Sequence, residues 1–337
     1  MITPRPDSRQ QAPLWQHALR EAFTRPADLL GYLQIDPALP ALDLERLRDF
    51  PLRVPRGFAA RMRPGDPTDP LFLQVWPRPA EGLVVPGFAL DAVGDLNKAR
   101  DGGVIHKYHG RALLIATGAC AVHCRYCFRR HFPYSEQLAA REQWRGALET
   151  LAGDPSIEEV ILSGGDPLSL SDDKLASLVQ SLEDIPHLRR LRIHTRQPIV
   201  LPERVDERLL QWLGRGRLQK VIVLHVNHPQ ELDASVERAL QPLRALQIPL
   251  LNQSVLLRGI NDSAETLRNL SEKLFACGIL PYYLHVVDRV HGAAHFEVDV
   301  EAARRLASEL VALVPGYLMP RLAREDAGAA SKTWIAW

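Results

Sequence analysis

Three of the chain's four cysteines lie within eight residues, in the segment GACAVHCRYCFRRHF at positions 118–132. The spacing of Cys120, Cys124 and Cys127, C-x3-C-x2-C, raises three options: a disulfide, a zinc site or an iron–sulfur cluster. Structural zinc normally takes four ligands in two pairs, and this spacing matches that arrangement poorly even if a nearby histidine is added. Three thiolates on one loop can instead hold a [4Fe–4S] cluster and leave one iron open. The spacing therefore favours a cluster.

The composition indicates a globular protein of the reducing cytoplasm. Its 337 residues, 46% hydrophobic and 24% charged, suffice for one large or two ordinary domains. A formal net charge of +1 gives no reason to expect nucleic acid or a membrane as a partner. Four cysteines without an export signal are typical of metal binding or catalysis rather than of a disulfide framework. The fourth, Cys277, is predicted to be a small buried apolar residue.

Short apolar runs alternate with amphipathic stretches from about residue 111 onward, which predicts parallel strands joined by helices. The predicted strands are ALLIATG, EVILSGG, LRRLRIHTR, KVIVLHV, PLLNQSVLL and LPYYLHVV. The predicted helices cover 138–152, 172–183, 205–213, 233–246, 264–277 and 301–313. The fold class is therefore α/β, and this number of units fits a partial (β/α)6 barrel better than the full eight.

The barrel is predicted to occupy residues 106–300, between a mostly helical region at 1–105 and a C-terminal segment at 301–337. In the first region, PLWQHALREAF and LDLERLRDF have apolar residues at helical spacing. RPGDPTDPLFLQVWPRP is expected to be an ordered connector, too rich in proline for regular structure. Polar motifs follow the predicted strands, among them SGGDP, HTRQP, HVNHP and DRVHG. Since chemistry gathers at the C-terminal ends of parallel strands, we expect the active site there.

The cysteine run resembles the signature of the radical S-adenosylmethionine (SAM) enzymes, in which an aromatic residue such as Tyr126 often precedes the third cysteine. The resemblance implies that the open iron binds SAM and that one electron from the cluster cleaves it to methionine and a 5′-deoxyadenosyl radical. In that superfamily a small-residue turn, one strand later, binds the amino group of SAM. The matching residues here are Ser163, Gly164, Gly165 and Asp166.

Longer segments resemble the lysine 2,3-aminomutase family from about residue 60 to the C-terminus. They include YHGRALLIATGACAVHCRYCFRRHF, IPLLNQSVLLRGIND and LPYYLHVVDRVHGAAHF. Within the family, the match is to the short bacterial branch that makes (R)-β-lysine for modification of translation elongation factor P. The resemblance implies an isomerase that uses a [4Fe–4S] cluster, SAM and pyridoxal 5′-phosphate (PLP) to move an amino group of L-lysine from carbon 2 to carbon 3.

The resemblance also assigns roles to single residues. Lys332, in EDAGAASKTWIAW, matches the lysine that binds PLP covalently, although the family's glycine run is diluted here. Arg129 matches the arginine for the substrate's α-carboxylate, which an arginine fork holds in a fixed plane. Asp288 matches the aspartate for the ε-ammonium, and a buried ammonium needs such a partner. These three residues are the predicted catalytic group.

Further positions are predicted to surround the cofactors. Arg111 matches an arginine near the phosphate of PLP. His225 and Gln253 fall at strand ends where the family has cofactor-site residues, and each also reads as an ordinary polar group lining the barrel. Where catabolic members of the family have a second aspartate, this chain offers Glu325 or Asp326, and the sequence does not decide between them.

The implied partners are L-lysine as substrate, a reductant for the cluster and, functionally, the ligase that modifies elongation factor P. Assembly into a homo-oligomer is left open. Two alternatives remain at this point: an aminomutase for another amino acid or for free-lysine metabolism, and, from a different class, a non-catalytic iron–sulfur electron carrier or scaffold.

Overall fold

The structure, a computed structural model, describes residues 13–39, 43, 47, 48, 50–134 and 144–337. Among these residues, ten strands form one sheet in the order in which they occur along the chain. The strands are β1 (Ala99–Arg100), β2 (Val104–Tyr108), β3 (Arg111–Thr117), β4 (Glu159–Gly164), β5 (Arg190–Thr195), β6 (Gln219–Leu224), β7 (Leu250–Leu256), β8 (Leu280–Val286), β9 (Arg321–Arg324) and β10 (Thr333–Trp334).

The seven neighbouring strands β3 to β9 are parallel, while β1, β2 and β10 pair in antiparallel fashion at the two edges. The predicted α/β class and partial barrel are confirmed, and the six predicted strands correspond to β3–β8. The sheet adds strands at both edges that were not predicted. At four residues, RLAR, strand β9 is too short to show a recognisable period in the sequence.

The helices of the described residues are α1 (Leu14–Arg20), α2 (Pro26–Leu33), α3 (Arg56–Ala59), α4 (Pro70–Leu73), α5 (Arg145–Ala152), α6 (Asp172–Glu183), α7 (Gln197–Val200), α8 (Glu207–Leu213), α9 (Ala234–Ala245), α10 (Ala264–Ala276) and α11 (Val300–Val311). Helices α5 to α11 follow parallel strands, as the amphipathic stretches predict, while residues 138–143 of the first predicted stretch lie outside the described residues. Four of the barrel helices begin after a side-chain cap, which satisfies their first free N–H groups. The capping residues are Asp206, Asp233, Ser263 and Asp299.

The two faces of the sheet differ because successive side chains of a strand point to opposite sides. On β4, Val160 and Leu162 belong to a buried apolar core, and Leu175 and Leu178 of α6 pack into the same core. The intervening residues of the strands turn to the other face, which carries the cavity described below. Cys277 is 5% exposed and also lies in the helix-side core, so its prediction as a buried small residue is confirmed.

A second apolar core joins the first part of the chain to the barrel. It contains Trp15, Phe58 and Trp76, and Ala121 and Val122 of the cysteine loop pack with them. The connector prediction was wrong in one respect, because α4 forms inside the proline-rich segment with Asp69 accepting from the N–H groups of its first turn. The predicted helix in LDLERLRDF lies mostly outside the described residues. The limits predicted for the three regions of the chain stay a prediction.

The SGGDP turn packs directly on the cysteine loop. The N–H of Gly165 donates to the carbonyl of Thr117 at 2.7 Å, and that of Asp166 to Ala119 at 2.8 Å. Gly164 has φ +113°, and a Cβ on Gly165 would lie 2.5 Å from the carbonyl oxygen of Ala119. Only glycine allows so close an approach of two backbones. The position of the turn and that of the cysteine loop are therefore coupled.

No helix in the described part of the chain is both long and apolar enough to cross a bilayer.

Replacing Gly165 with Ala is expected to push the cysteine loop away from β4, because the new Cβ would overlap the Ala119 carbonyl. Overpacking of this kind typically costs about 1–3 kcal/mol, which urea unfolding would measure. Gly31→Ala is the matched control, since nothing lies within 4 Å of a Cβ built there. If both variants unfold at the same urea concentration, the close approach does not constrain the loop.

Candidate active site

A cavity of about 720 Å³ lies on the face of the sheet opposite the helices. It is walled by alternate residues of the strands, so polar and apolar side chains from distant segments converge on it. The strands contribute Arg111, Leu113, Ile161, Ser163, Arg192, His194, Gln253, Tyr283 and His285. The predicted residues Arg129, His225, Asp288 and Lys332 line the same cavity, together with Glu325.

Arg129 is held by two groups at the wall of the cavity. Its Nε donates to Oδ2 of Asp95 at 2.7 Å, and its Nη1 donates to Oγ of Ser163 at 3.0 Å. Asp95 also binds the ammonium of Lys107, whose Nζ lies 2.5 Å from Oδ1. Burial alone would raise the pKa of Asp95, but Arg129 and Lys107 outweigh it and leave that pKa below its usual range. The carboxylate is therefore ionised and fixes the guanidinium plane.

Lys332 enters the cavity from the C-terminal segment, directly before β10. Its Nζ lies 3.1 Å from Oε2 of Glu325 and 3.2 Å from Nε2 of His285. The other oxygen of Glu325 accepts from Lys107 at 3.0 Å. Burial acts to raise the pKa of Glu325, and the two lysines overcome it and lower that pKa to about 2. Asp326 instead pairs with the exposed Arg324, so of the two acids left open by the sequence it is Glu325 that faces the cavity.

Asp288 also lines the cavity, with Asp95 and Glu325, and its environment differs from theirs. Burial raises the pKa of Asp288 to about 7, and the negative charge of Glu325 adds to the rise more than Lys332 offsets it. The pKa values of Asp95 and Glu325 are thus lowered by paired cations, whereas that of Asp288 lies near neutrality. A cation entering beside Asp288 would favour its charged form.

Two half-buried imidazoles meet on the strand side of the cavity. Nδ1 of His194 lies 3.3 Å from Nε2 of His225. Burial, reinforced by Arg196 and Lys332, lowers the pKa of His225 to about 4, and burial together with His225 also lowers the pKa of His194. Both rings are therefore neutral at pH 7, and each offers one donor and one acceptor.

Two of the predicted cofactor-site residues have unused polar groups. Oε1 of Gln253 is buried and has no hydrogen-bond partner among the described residues. An unpartnered buried acceptor is costly unless a ligand supplies a donor. The guanidinium of Arg111 stacks over the ring of Tyr108 at 4.9 Å, and within the described ranges it forms no ion pair. Arg111 is thus a cation of the cavity wall that is available to an anion.

The three clustered cysteines lie on the loop between β3 and α5, next to Arg129. All three are free thiols and half-buried. Burial raises the pKa of Cys127 to about 11, with the charge of Cys124 adding to it, and burial and Asp166 raise that of Cys120. Among the described residues no three His, Cys, Asp or Glu side chains gather closely enough to hold a metal ion. The sulfur ligands of a four-iron cube stand farther apart than the ligands of a single ion.

Asp166 supports the turn from inside rather than facing the cavity. Its Oδ1 accepts from Oγ1 of Thr195 at 2.7 Å, and its Oδ2 accepts from the N–H of Arg196 at 2.7 Å and of Gln197 at 3.1 Å. The carboxylate therefore ties the end of β4 to the end of β5. Of the four residues of the predicted turn, Ser163 is the one that lines the cavity.

Sequence reasoning missed five residues of this site. They are Asp95, Lys107, His194, Arg196 and His285. His194 and His285 stand in predicted strands, and their direction toward the cavity follows from the two-residue period of β5 and β8. Asp95 lies in a loop with no periodic pattern, so its sequence carries no signal of its role.

Comparison with known proteins agrees with this geometry. Residues 114–270 match the family model described as the Radical SAM superfamily. The L-lysine 2,3-aminomutase of Escherichia coli (strain K12) is 48% identical over 322 residues, which is 95% of this chain and 93% of that protein. The Haemophilus influenzae enzyme of the same name is 47% identical, over 96% and 95% of the two chains. The enzyme of Clostridium subterminale is 30% identical, over 95% and 77%.

These similarities cover almost the whole chain and are far above the level needed to establish a family, so the predicted resemblance is confirmed. Membership of the superfamily implies a [4Fe–4S] cluster and SAM, and the alternative of a non-catalytic electron carrier is wrong. The chain belongs to the lysine 2,3-aminomutase family of radical SAM enzymes and is an isomerase.

Proposed function

We propose that the chain converts L-α-lysine to (R)-β-lysine with a [4Fe–4S] cluster, SAM and PLP, in support of elongation factor P modification. The observation that carries the proposal is the meeting of Arg129, Asp288 and Lys332 in one cavity. They come from three distant segments and supply a guanidinium, a carboxylate and an amine. Those are the groups that an amino acid with a cationic side chain and an aldehyde cofactor require.

Arg129 would bind the α-carboxylate of the substrate. Asp95 and Ser163 fix two of its nitrogens, while Nη2 has no hydrogen-bond partner among the described residues. A guanidinium fixed in this way binds a carboxylate in a defined plane with little further loss of side-chain entropy. Its position two residues after Cys127 supports a substrate that lies beside the cluster.

Asp288 and Glu325 would receive the ε-ammonium at the other end of the substrate. A buried ammonium is stable only beside a carboxylate, and this cavity provides two. An amino acid with an acidic side chain would meet the same two carboxylates and be repelled. The pair therefore supports lysine over glutamate as the substrate, and a glutamate assay is the direct comparison.

Lys332 would hold PLP covalently, and Arg111 would pair with its phosphate. PLP would supply delocalisation of the radical formed on the lysine skeleton while nitrogen moves from carbon 2 to carbon 3. Of the lysines in the described residues, Lys107 also lines the cavity, but its Nζ is bound by Asp95, Glu325 and the carbonyl of Val93. Lys332 has a single acid partner, which favours it as the reactive amine.

Cys120, Cys124 and Cys127 would hold the cluster, and an external reductant would supply its electron. The SGGDP turn packs on the cysteine loop, so a SAM molecule on the open iron would reach Ser163 and the backbone of the turn. The free acceptor of Gln253 and the neutral pair formed by His194 and His225 would contact the remainder of SAM. The identity of 48% and 47% to two bacterial L-lysine 2,3-aminomutases supports the same reaction on lysine here.

The main experiment is an anaerobic assay with iron and sulfide reconstituted, dithionite, SAM, PLP and L-lysine. We expect β-lysine, detected after derivatisation on a chiral column, and we expect the product to increase the mass of elongation factor P when its ligase is added. Turnover of glutamate but not lysine would contradict the substrate. Formation of β-lysine without any ligase-dependent mass change would contradict only the role in elongation factor P modification.

Lys332→Ala is expected to abolish both β-lysine formation and the visible absorbance of covalently held PLP, because the attacking amine is gone. Lys107→Ala should keep that absorbance, since Lys107 is engaged by two acids. Lys174→Ala, on the exposed face of α6, is the control and should behave as the unaltered chain. An absorbance band that survives in Lys332→Ala and disappears in Lys107→Ala would reverse the assignment.

The efficiency kcat/KM for lysine should rise with pH between about 6 and 8 and then level off. The reason is that Asp288, with its pKa of about 7, binds the ammonium only in its ionised form. Asp288→Asn should lose this step and lower kcat/KM at pH 8 at least about 30-fold, as removal of one partner of a buried charge pair costs about 2–5 kcal/mol. Asp326→Asn, at the exposed pair with Arg324, should keep the step. The same pH profile in Asp288→Asn would assign the titration to another group.

A further inference from the structure

Arg196 is a buried arginine that touches a cysteine of the proposed cluster. It follows β5 directly and is 6% exposed. Its Nη1 lies 2.7 Å from Sγ of Cys124 and 2.6 Å from the hydroxyl of Tyr126. Arg53 also donates to the cysteine loop, but to the backbone carbonyl of Cys120, whereas Arg196 donates to a cysteine sulfur. The guanidinium is therefore directed at one particular sulfur.

The other side of the guanidinium is anchored by a rigid polar group. Nη2 donates to Oε2 of Glu231 at 2.8 Å and to Oε1 of Gln74 at 2.6 Å. Glu231 is fully buried, and its Oε1 accepts from the N–H groups of Asn227 at 2.9 Å and His228 at 3.1 Å. These contacts leave the arginine little freedom to turn away from the sulfur.

The main chain of Arg196 is fixed as well, because its N–H donates to Asp166 at 2.7 Å. Asp166 in turn belongs to the turn that packs on the cysteine loop. The arginine is thus connected at its backbone to one end of the loop and at its side chain to Cys124. A residue so constrained acts on the sulfur with a constant geometry.

A hydrogen bond to a ligand sulfur withdraws electron density from an iron–sulfur cluster and stabilises its reduced form. The ion pair of Arg196 and Glu231 adds an oriented dipole, with its positive end at Cys124 and its negative end remote from it. Both effects favour the addition of one electron to the cluster. In a buried site with few water dipoles, they are stronger than at a surface.

We propose that Arg196 raises the reduction potential of the [4Fe–4S] cluster through its hydrogen bond to the ligand sulfur of Cys124. The proposal rests on the function proposed above, because it requires that the three cysteines hold a cluster. Arg196 is then a positioning and tuning residue, distinct from the groups that contact substrate. It makes the cluster easier to reduce for whatever donor supplies the electron.

The test compares Arg196→Gln and Arg196→Lys with the unaltered chain. Each protein is reconstituted with iron and sulfide under anaerobic conditions, and iron and sulfide per chain are counted. The potential of the one-electron couple is then measured by a mediated titration with dithionite, followed by the electron paramagnetic resonance signal of the reduced cluster. We expect Arg196→Gln to shift the potential to more negative values. Arg196→Lys, which keeps a cation but lacks the fork, should shift it less.

Arg204→Gln is the matched control. Arg204 is fully buried and pairs with Asp172 at 2.8 Å and with the carbonyl of Leu168, so its loss removes a buried ion pair without touching a cysteine. It should reduce stability and leave the potential unchanged. An equal shift in Arg204→Gln would mean that general loosening, not the contact with Cys124, sets the potential.

The outcomes separate this proposal from the proposed function. If the unaltered chain takes up no iron and sulfide, both fail. If it forms a cluster whose potential is the same in both Arg196 variants, only the tuning role is wrong. If Arg196→Gln holds no cluster, Arg196→Lys decides, because a purely structural role would lower the cluster content without moving the potential of the remaining clusters.

Discussion

A row of five alternating charges holds the active cavity together. It runs from Arg129 to Asp95, then to Lys107, Glu325 and Lys332, and each acid is shared by two cations. All five side chains are at most 20% exposed, so none of them could lie there as a single unpaired charge. The row joins the loop after the cysteines to the C-terminal segment.

The N-terminal region supports the same site from another direction. Its apolar side chains form a core with Ala121 and Val122, which lie between the first and second clustered cysteines. A loop needs an apolar surface to pack against, and Tyr126 and Phe128 of this loop also pack against the same core. Packing against Trp15, Phe58 and Trp76 provides that surface, so a region whose sequence indicated only helices contributes to the placement of the cysteines.

The helices and the six main strands could be predicted because the spacing of apolar residues in each can be recognised within its own stretch of sequence. Arg129, Asp288 and Lys332 could be assigned through motifs that resemble a family, and the structure places them in one cavity. Asp95 and Lys107 could not be predicted, since their partners are 34 and 218 residues away along the chain. Contacts of that kind depend on the order of the strands in the sheet and on the return of the C-terminal segment to it. Neither can be recognised in a short stretch of sequence.

The double pairing of Glu325 has a consequence for the order in which ligands can enter. Both of its oxygens accept from lysines, one from Lys107 and one from Lys332. An amine that becomes bonded to an aldehyde carbon loses most of its N–H donors, so one oxygen of Glu325 would then lack its partner. The ammonium of an incoming amino acid would then be attracted to this oxygen of Glu325. Under the function proposed above, this charge pattern favours binding of the amino acid after Lys332 has taken up its cofactor.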